Sequence, residues 1–214
     1  MKDLAIYGFG GLGREITTLI YKLNQQQQEW NFRGYFDDGF AVGTGNNYGK
    51  VLGGLQELNA WPNPLNVVLA IANGAILQKL SGLITNPNVS FPNILAPDVF
   101  LFDASTLQLG RGNLITYGCR ISCDVKLGDF NILNGCISLG HDVHVGNYNI
   151  FFPDVRISGE TTIGNHNLFG AGSFVLQRIK IGNHIRLAPG SYLLRNAKDN
   201  YLYMGNPAKR TENN

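Results

Sequence analysis

Two groups of residues in this sequence have types and spacings suited to chemistry. The first is the pair His141-Asp142, set in Leu139-Gly140-His141-Asp142-Val143-His144-Val145-Gly146. A neutral imidazole, with an ordinary pKa of about 6.5, can take a proton from a nucleophile near neutral pH, which is typically worth about 10²–10⁴ in rate. The second is Gly8-Phe9-Gly10-Gly11-Leu12-Gly13, a GxGxxG run, followed later by Asp37-Asp38. Such glycines admit phosphate to a helix N-terminus, and an acid at the end of the next strand can bind ribose. The same glycines also have a purely structural reading, close packing of a helix on a strand. The three cysteines, Cys119, Cys123 and Cys136, are odd in number and lack CxxC spacing, so they are expected to remain thiols.

Composition narrows the field. The chain has 214 residues, 44% of them hydrophobic and 15% charged, which is the make-up of a folded protein with a sizeable core. Its net charge is +2 and its Lys and Arg residues are scattered singly, which argues against nucleic acid or an anionic lipid surface as partner. The longest apolar run, 67–72, is far short of the roughly 20 residues that a membrane helix needs, so no membrane insertion is expected. An acid at Asp3 and early glycines make the N-terminus unlike a signal peptide, and a cytoplasmic location is expected.

Two periodicities organise the elements that must position these residues. In the first ninety or so, short apolar runs alternate with helical patterns: strands are predicted over 4–7, 32–36 and 67–72, and helices over 13–23 and 76–84. This is a small βαβαβ unit with a parallel sheet. Gly39, Gly43, Gly45, Gly49, Gly53 and Gly54 predict a loop between the second and third strands, turning helical at 55–58, and Gln25 to Gln28 read as a solvated helix end. From Leu109 to Leu193 an apolar residue falls at every sixth position, and glycine follows it at 110, 128, 146, 164 and 182. At the chain's 44% apolar frequency that run has a chance probability of about one in a hundred thousand, so it is a structural repeat. Three hexads make one coil of a triangular parallel β-helix, in which residues 18 apart stack at about 4.8 Å. Asn113, Asn131, Asn149 and Asn167 stand in register and predict an amide ladder, with asparagine also suiting a left-handed corner. The column Phe130, Tyr148, His166, His184 is expected to be a stacked corner or a subunit contact rather than a metal site.

Stacking by 18 sets His141 between Cys123 and Gly159, with the missing side chain at 159 leaving room for a thioester and its N–H able to donate to an oxyanion. Asp142 falls in a column with Asp124 and Glu160, three carboxylates whose repulsion would raise at least one pKa, unless His141 or an incoming ammonium offsets it. That column reads as an amine-attracting patch or as a solvated acidic ridge. His144 reads as a surface residue.

The hexad repeat, the His141-Asp142 pair and the ending Tyr203-Met204-Gly205-Asn206-Pro207-Ala208-Lys209 together resemble the hexapeptide-repeat acyltransferases. More narrowly, the chain is similar to the sialic acid O-acetyltransferase and PglD-like nucleotide-sugar N-acetyltransferase group. The resemblance implies an α/β Rossmann-like domain over 1–97, an all-β left-handed β-helix over 98–195 and a tail over 196–214. It implies acetyl transfer from acetyl-CoA, with no metal, to an amino group of a nucleotide-linked amino sugar in surface-glycan biosynthesis, within a homotrimer. His141 would be the base and Asp142 would raise its basicity. Coenzyme A would run along Gly159, Gly170, Ala171, Ala188 and Pro189. The nucleotide would be held by Gly8, Phe9, Gly10, Gly11, Asp37, Asp38, Ala72 and Asn73. The chain departs from the group's pattern at Ala96-Pro97, where many relatives have a histidine before the proline, and at Leu77, where many have a basic residue.

Alternatives stay open on the sequence alone: sugar O-acetylation, a non-catalytic nucleotide-sugar binding protein, a nicotinamide-dependent oxidoreductase using the glycine run, and a zinc-dependent carbonic anhydrase on the same β-helix. Cys123 beneath His141 is a further candidate for transient acylation.

Overall fold

A computed structural model describes residues 1–211; the last three residues of the expected tail, 212–214, lie outside the described residues. The chain divides into two compact units, Met1–Pro92 and Asn93 onwards. In the first, β1 (Lys2–Tyr7), α1 (Gly11–Gln26), β2 (Trp30–Phe36), β3 (Val51–Gly53), α2 (Leu55–Asn59), β4 (Leu65–Leu69), α3 (Gly74–Leu83) and β5 (Val89–Ser90) build one parallel sheet in the order β3-β2-β1-β4-β5. Leu4 to Tyr7 are buried because a parallel strand is covered on both faces. Ile16, Leu19 and Ile20 recur at helical spacing and bury one stripe of α1. The glycine-rich stretch is not all loop: Val51–Gly53 adds the edge strand β3, too short and too glycine-rich for a period-two signal to show.

The second unit is a parallel β-helix of three faces. One face stacks the two-residue rungs Phe100–Leu101, Arg120–Ile121, Ser138–Leu139, Arg156–Ile157, Phe174–Val175 and Tyr192–Leu193. The next stacks Gln108–Leu109, Lys126–Leu127, His144–Val145, Thr162–Ile163 and Lys180–Ile181. The third begins at Ile94–Leu95, ahead of residue 98, and runs through Leu114–Ile115, Ile132–Leu133, Ile150–Phe151, Leu168–Phe169 and Arg186–Leu187 to Leu202–Gly205. So the segment first read as tail supplies another rung, which folds back antiparallel on Ala208–Thr211. The second residue of each rung points inward, and these residues form the apolar core of the prism.

Every sixth residue from Gly112 to Gly190 has positive φ. The ladder asparagines are not those residues. Asn131 and Asn149 are fully buried, and each donates its backbone N–H and Nδ2 to the asparagine Oδ1 one coil below. The left-handed position is the residue before, so the corner there is turned by Gly112, Phe130, Tyr148, His166 and His184. Stacking explains how bulky residues tolerate it: the Phe130, Tyr148, His166 and His184 rings lie nearly parallel with centroids 4.8–5.5 Å apart.

Candidate active site

His141 and Asp142 turn the corner between the rungs Ser138–Leu139 and His144–Val145, with Asp142 in the left-handed conformation at φ 57°. Both side chains project outward, 54% and 56% exposed. His141 Nδ1 lies 2.8 Å from Asp142 Oδ2. A carboxylate only accepts, so this contact places the proton of the neutral ring on Nδ1 and leaves the lone pair on Nε2. A Cβ added to Gly159 would meet His141 Nε2 at 2.6 Å, Cε1 at 2.8 Å and Cδ2 at 2.9 Å. The imidazole therefore lies against the bare α-carbon one coil above.

The coils are tied together at this corner. Asp142 N–H donates to the Cys123 carbonyl at 3.1 Å, Glu160 N–H to that of His141 at 2.8 Å, and Arg178 N–H to that of Gly159 at 3.0 Å. The acidic column has a cationic end that the sequence reading missed: Arg178 Nε donates to Glu160 Oε2 at 2.9 Å. The hydrogen bond from the Arg178 guanidinium holds the Glu160 carboxyl below its usual range, with His141 adding to the effect. Expected repulsion does not raise this member of the column, because position 178 continues it with the opposite charge.

Gly170, Ala171, Ala188 and Pro189 stand at a different corner, before the rungs Phe174–Val175 and Tyr192–Leu193, so one chain does not bring them together with His141, Asp142 and Gly159. A Cβ on Gly170 would collide with Pro189 N and approach Pro189 Cδ at 2.7 Å and Ala188 C at 2.8 Å, so coil packing alone requires glycine there. His144 is exposed on the neighbouring face. Lys and Arg are not evenly spread along the β-helix. From residue 178 on, the described residues include Arg178, Lys180, Arg186, Arg195, Lys198, Lys209 and Arg210 against one acid, Asp199. Running charge by coil rather than over the whole chain would have found this.

In the first unit, a cavity of about 320 Å³ is lined by Tyr7, Gly8, Asp37 and Asp38 with Leu55, Ile71, Ile76, Lys79, Leu80 and Leu83. The aspartates brace its floor. Asp37 accepts from Phe9 N–H at 2.8 Å and Gly39 N–H at 2.8 Å. Asp38 accepts from Tyr7 Oη and from Leu55 N–H at 2.9 Å. Burial first, then the hydrogen bond to Asp38, pushes the Tyr7 phenol well above its ordinary range, so it stays a donor. Phe9 is buried against Tyr35 and Phe40, its N–H is taken by Asp37, and it does not line the cavity. Asn73 caps α3 by accepting from Ile76 N–H at 3.1 Å, and neither it nor Ala72 lines the cavity.

The glycine run resolves residue by residue. Gly8 has φ 118° and a Cβ there would sit 2.8 Å from the Ala70 carbonyl oxygen; one on Gly13 would collide with the Gly8 carbonyl oxygen. These two are demanded by helix-on-strand packing. Gly10 has open space around it and Gly11 only the Arg14 guanidinium at 4.0 Å, so packing does not explain their lack of side chains. Leu77 is buried, but Lys79, two residues on in α3, brings a cation to the cavity wall.

Among the described residues no group of three or more His, Cys, Asp and Glu side chains is gathered as a metal ion would require, and no helix is long and apolar enough to cross a membrane.

Residues 3–82 match the family model of the PglD N-terminal domain. A search of the curated proteins finds no match. Among solved structures, the acetyltransferase domain of PglB from Neisseria gonorrhoeae FA1090 in complex with acetyl coenzyme A superposes with TM-score 0.86 at 23% identity, over 98% of this chain and 99% of that one. WeeI from Acinetobacter baumannii AYE gives TM-score 0.88 at 24% identity, covering 99% and 100%. PerB from Caulobacter crescentus in complex with CoA and GDP-perosamine gives 0.85 at 24% identity, covering 99% and 98%. The fold, a Rossmann-like unit followed by a hexapeptide-repeat β-helix, is shared along essentially the whole chain.

Proposed function

We propose that this chain is an acetyltransferase that moves acetyl from acetyl-CoA to the amino group of a nucleotide-linked amino sugar in surface-glycan biosynthesis. The observation that carries the reading is the His141 imidazole, with Nδ1 on Asp142 and its ring against the side-chain-free Gly159. As the amine nitrogen attacks the thioester carbon, Nε2 takes its proton, Asp142 stabilises the imidazolium, and the Gly159 N–H is placed to donate to the developing oxyanion. Collapse expels coenzyme A as its thiolate, which takes the proton back from His141. The solved relatives support the donor and acceptor classes: one carries acetyl coenzyme A and one carries CoA with GDP-perosamine.

Acetyl-CoA here is a co-substrate, and the residues suit it. The thioester meets His141 and Gly159, while the cations beyond Arg178, from Lys180 to Arg210, suit its phosphates. The small residues Gly170, Ala171, Ala188 and Pro189 reach the same arm only from a second copy, because they occupy the other corner of the face that ends at His141. That face exposes Leu176, Tyr192 and Leu194 near one end and Phe100 and Phe102 near the other, which suits burial against neighbouring copies in a homotrimer. The acceptor's nucleotide is held by the first unit, at the open glycines Gly10 and Gly11 and in the cavity floored by Asp37 and Asp38, with Lys79 for its phosphate charge. The reaction runs in the cytoplasm.

The test is thiol release from acetyl-CoA, followed with a panel of nucleotide amino sugars and the corresponding hydroxy sugars. Amine-dependent release, lost by about 10²-fold or more in His141→Ala, is expected. Full turnover in that variant would overturn the reading, and turnover with the hydroxy sugars alone would replace amine transfer by O-acetylation.

A further inference from the structure

At the corner that carries His141, four stacked left-handed positions read Asp124, Asp142, Glu160 and Arg178 from bottom to top, at φ 57°, 57°, 57° and 62°. Equal backbone angles send these side chains out in parallel, one coil apart, so each can pair with the residue above, the residue below or the side chain beside it in sequence. Asp142 takes the His141 Nδ1. Glu160 follows Gly159 directly, and Gly159 is the residue whose α-carbon faces Nε2. A free Glu160 carboxylate would therefore have the proton-accepting nitrogen of the imidazole as its nearest strong donor whenever that ring is protonated. In the structure it turns the other way, to Arg178 Nε at 2.9 Å.

We propose that Arg178 is a positioning residue for the transfer reaction: it holds the Glu160 carboxylate away from His141, so that Asp142 is the one carboxylate bonded to the ring and Nε2 stays open to the incoming amine. The inference rests on reading His141 as the base, and it assigns a role to an ion pair that lies outside the reacting groups. The opposing charges are arranged to make the difference felt. Two carboxylates on one imidazole would favour the imidazolium, which cannot take a proton, whereas one carboxylate orients the ring and raises its basicity while leaving more of it neutral. The same pairing neutralises Glu160 as a competing anchor for the substrate ammonium, which would otherwise rest one coil too high. The other titratable groups that face the ring are Cys123 and Asp124 on the coil below and His144 on the following rung; Arg195 stands on the same corner beyond Gln177.

The experiment is the titration of His141 by its imidazole NMR signal, assigned by its loss in His141→Ala among the four histidines of the chain, together with the pH profile of kcat/KM. In Arg178→Gln the pKa of His141 is expected to rise by about half a unit or more, because an opposite charge favours the imidazolium. The acid limb of kcat/KM should move up by the same amount, giving about threefold slower turnover below it and little change on the alkaline plateau. In the double variant Glu160→Gln/Arg178→Gln both readouts should return toward those of the unmodified protein. An unmoved His141 titration in Arg178→Gln overturns the proposal, as does a uniform loss at all pH values, a rise only in KM for acetyl-CoA, or a shift that Glu160→Gln does not reverse. The NMR arm needs no turnover, so it reads the proposal even where His141→Ala stays active and the base assignment itself fails.

Discussion

Replacing Gly159 by alanine separates the site from the scaffold. Its φ is not positive, so alanine fits the backbone, and no atom within 4 Å of the added methyl among its nearest three belongs to anything but the His141 ring. At 2.6 Å from Nε2 the methyl is about 0.9 Å inside an ordinary contact of about 3.5 Å. Because a side chain can swing where a backbone cannot, the ring yields and the β-helix does not. A displacement near 1 Å breaks the 2.8 Å bond to Asp142 and moves Nε2 off the amine. Misplacement on that scale costs on the order of 10²-fold. Gly159→Ala should thus lower kcat about a hundredfold, with a melting temperature within about 2 °C of the unmodified protein. Gly170→Ala is the control: its methyl meets the backbone of Ala188 and Pro189, which cannot rotate away, and should cost about 1–3 kcal/mol of stability. Thermal melts and steady-state kinetics on both variants decide the matter. A Gly159→Ala protein that is fully active refutes the placement of the imidazole, and one that melts as early as Gly170→Ala refutes the claim that the yielding ring is what the methyl meets first.

Asn149→Leu should cost about 2–5 kcal/mol by denaturant titration, since it orphans the Asn167 N–H and the Gly164 carbonyl inside the prism. Burial pushes the Cys119 thiol from 9.0 up to about 11, so the unfolded chain ionises first and stability falls as pH rises from about 9 to about 11. The loss should reach about 2–3 kcal/mol, be absent in Cys119→Ala, and show as a falling urea midpoint. With a thiol reagent at pH 8, exposed Cys136 should react promptly and Cys119 only on unfolding. Lys79→Ala should raise KM for the nucleotide acceptor about tenfold with kcat within about twofold, and an unchanged KM would remove Lys79 from the phosphate's surroundings.

The β-helix was legible because a period of six is imposed by geometry at every corner, and the inward residue of each rung must be apolar. The opposition of His141 to Gly159 followed from the same period, since register by 18 is the only freedom the coils have. What the sequence hid was local. Val51–Gly53 is a strand because β2 offers it an edge, not because its three residues favour one. Arg178 escaped notice because a charge column read as acid-only stops at Glu160 when it is searched for carboxylates. Lys79 was missed because position 77 lies off the face of α3 that meets the cavity, which runs through Ile76, Lys79, Leu80 and Leu83 at helical spacing. The ladder asparagines were rightly paired, but their fit to a left-handed corner was a property of the residue type that the fold does not use there.

The left-handed corners also limit what this site could have been. A residue held at positive φ costs about 1–2 kcal/mol unless it is glycine or a short polar side chain, so each corner recovers that cost by stacking on the coils above and below. At one corner the recovery comes from aromatic and imidazole rings lying on one another. At the His141 corner it comes from charge: Asp142 on its own neighbour's imidazole, Glu160 on Arg178. A hydrogen bond and an ion pair of that kind stabilise a turn without a column of stacked rings beside it. The carboxylate that orients the imidazole is thus the same residue that turns the chain, and the imidazole has room to lie over the Gly159 α-carbon at a corner held by a hydrogen bond and an ion pair and not by packed rings.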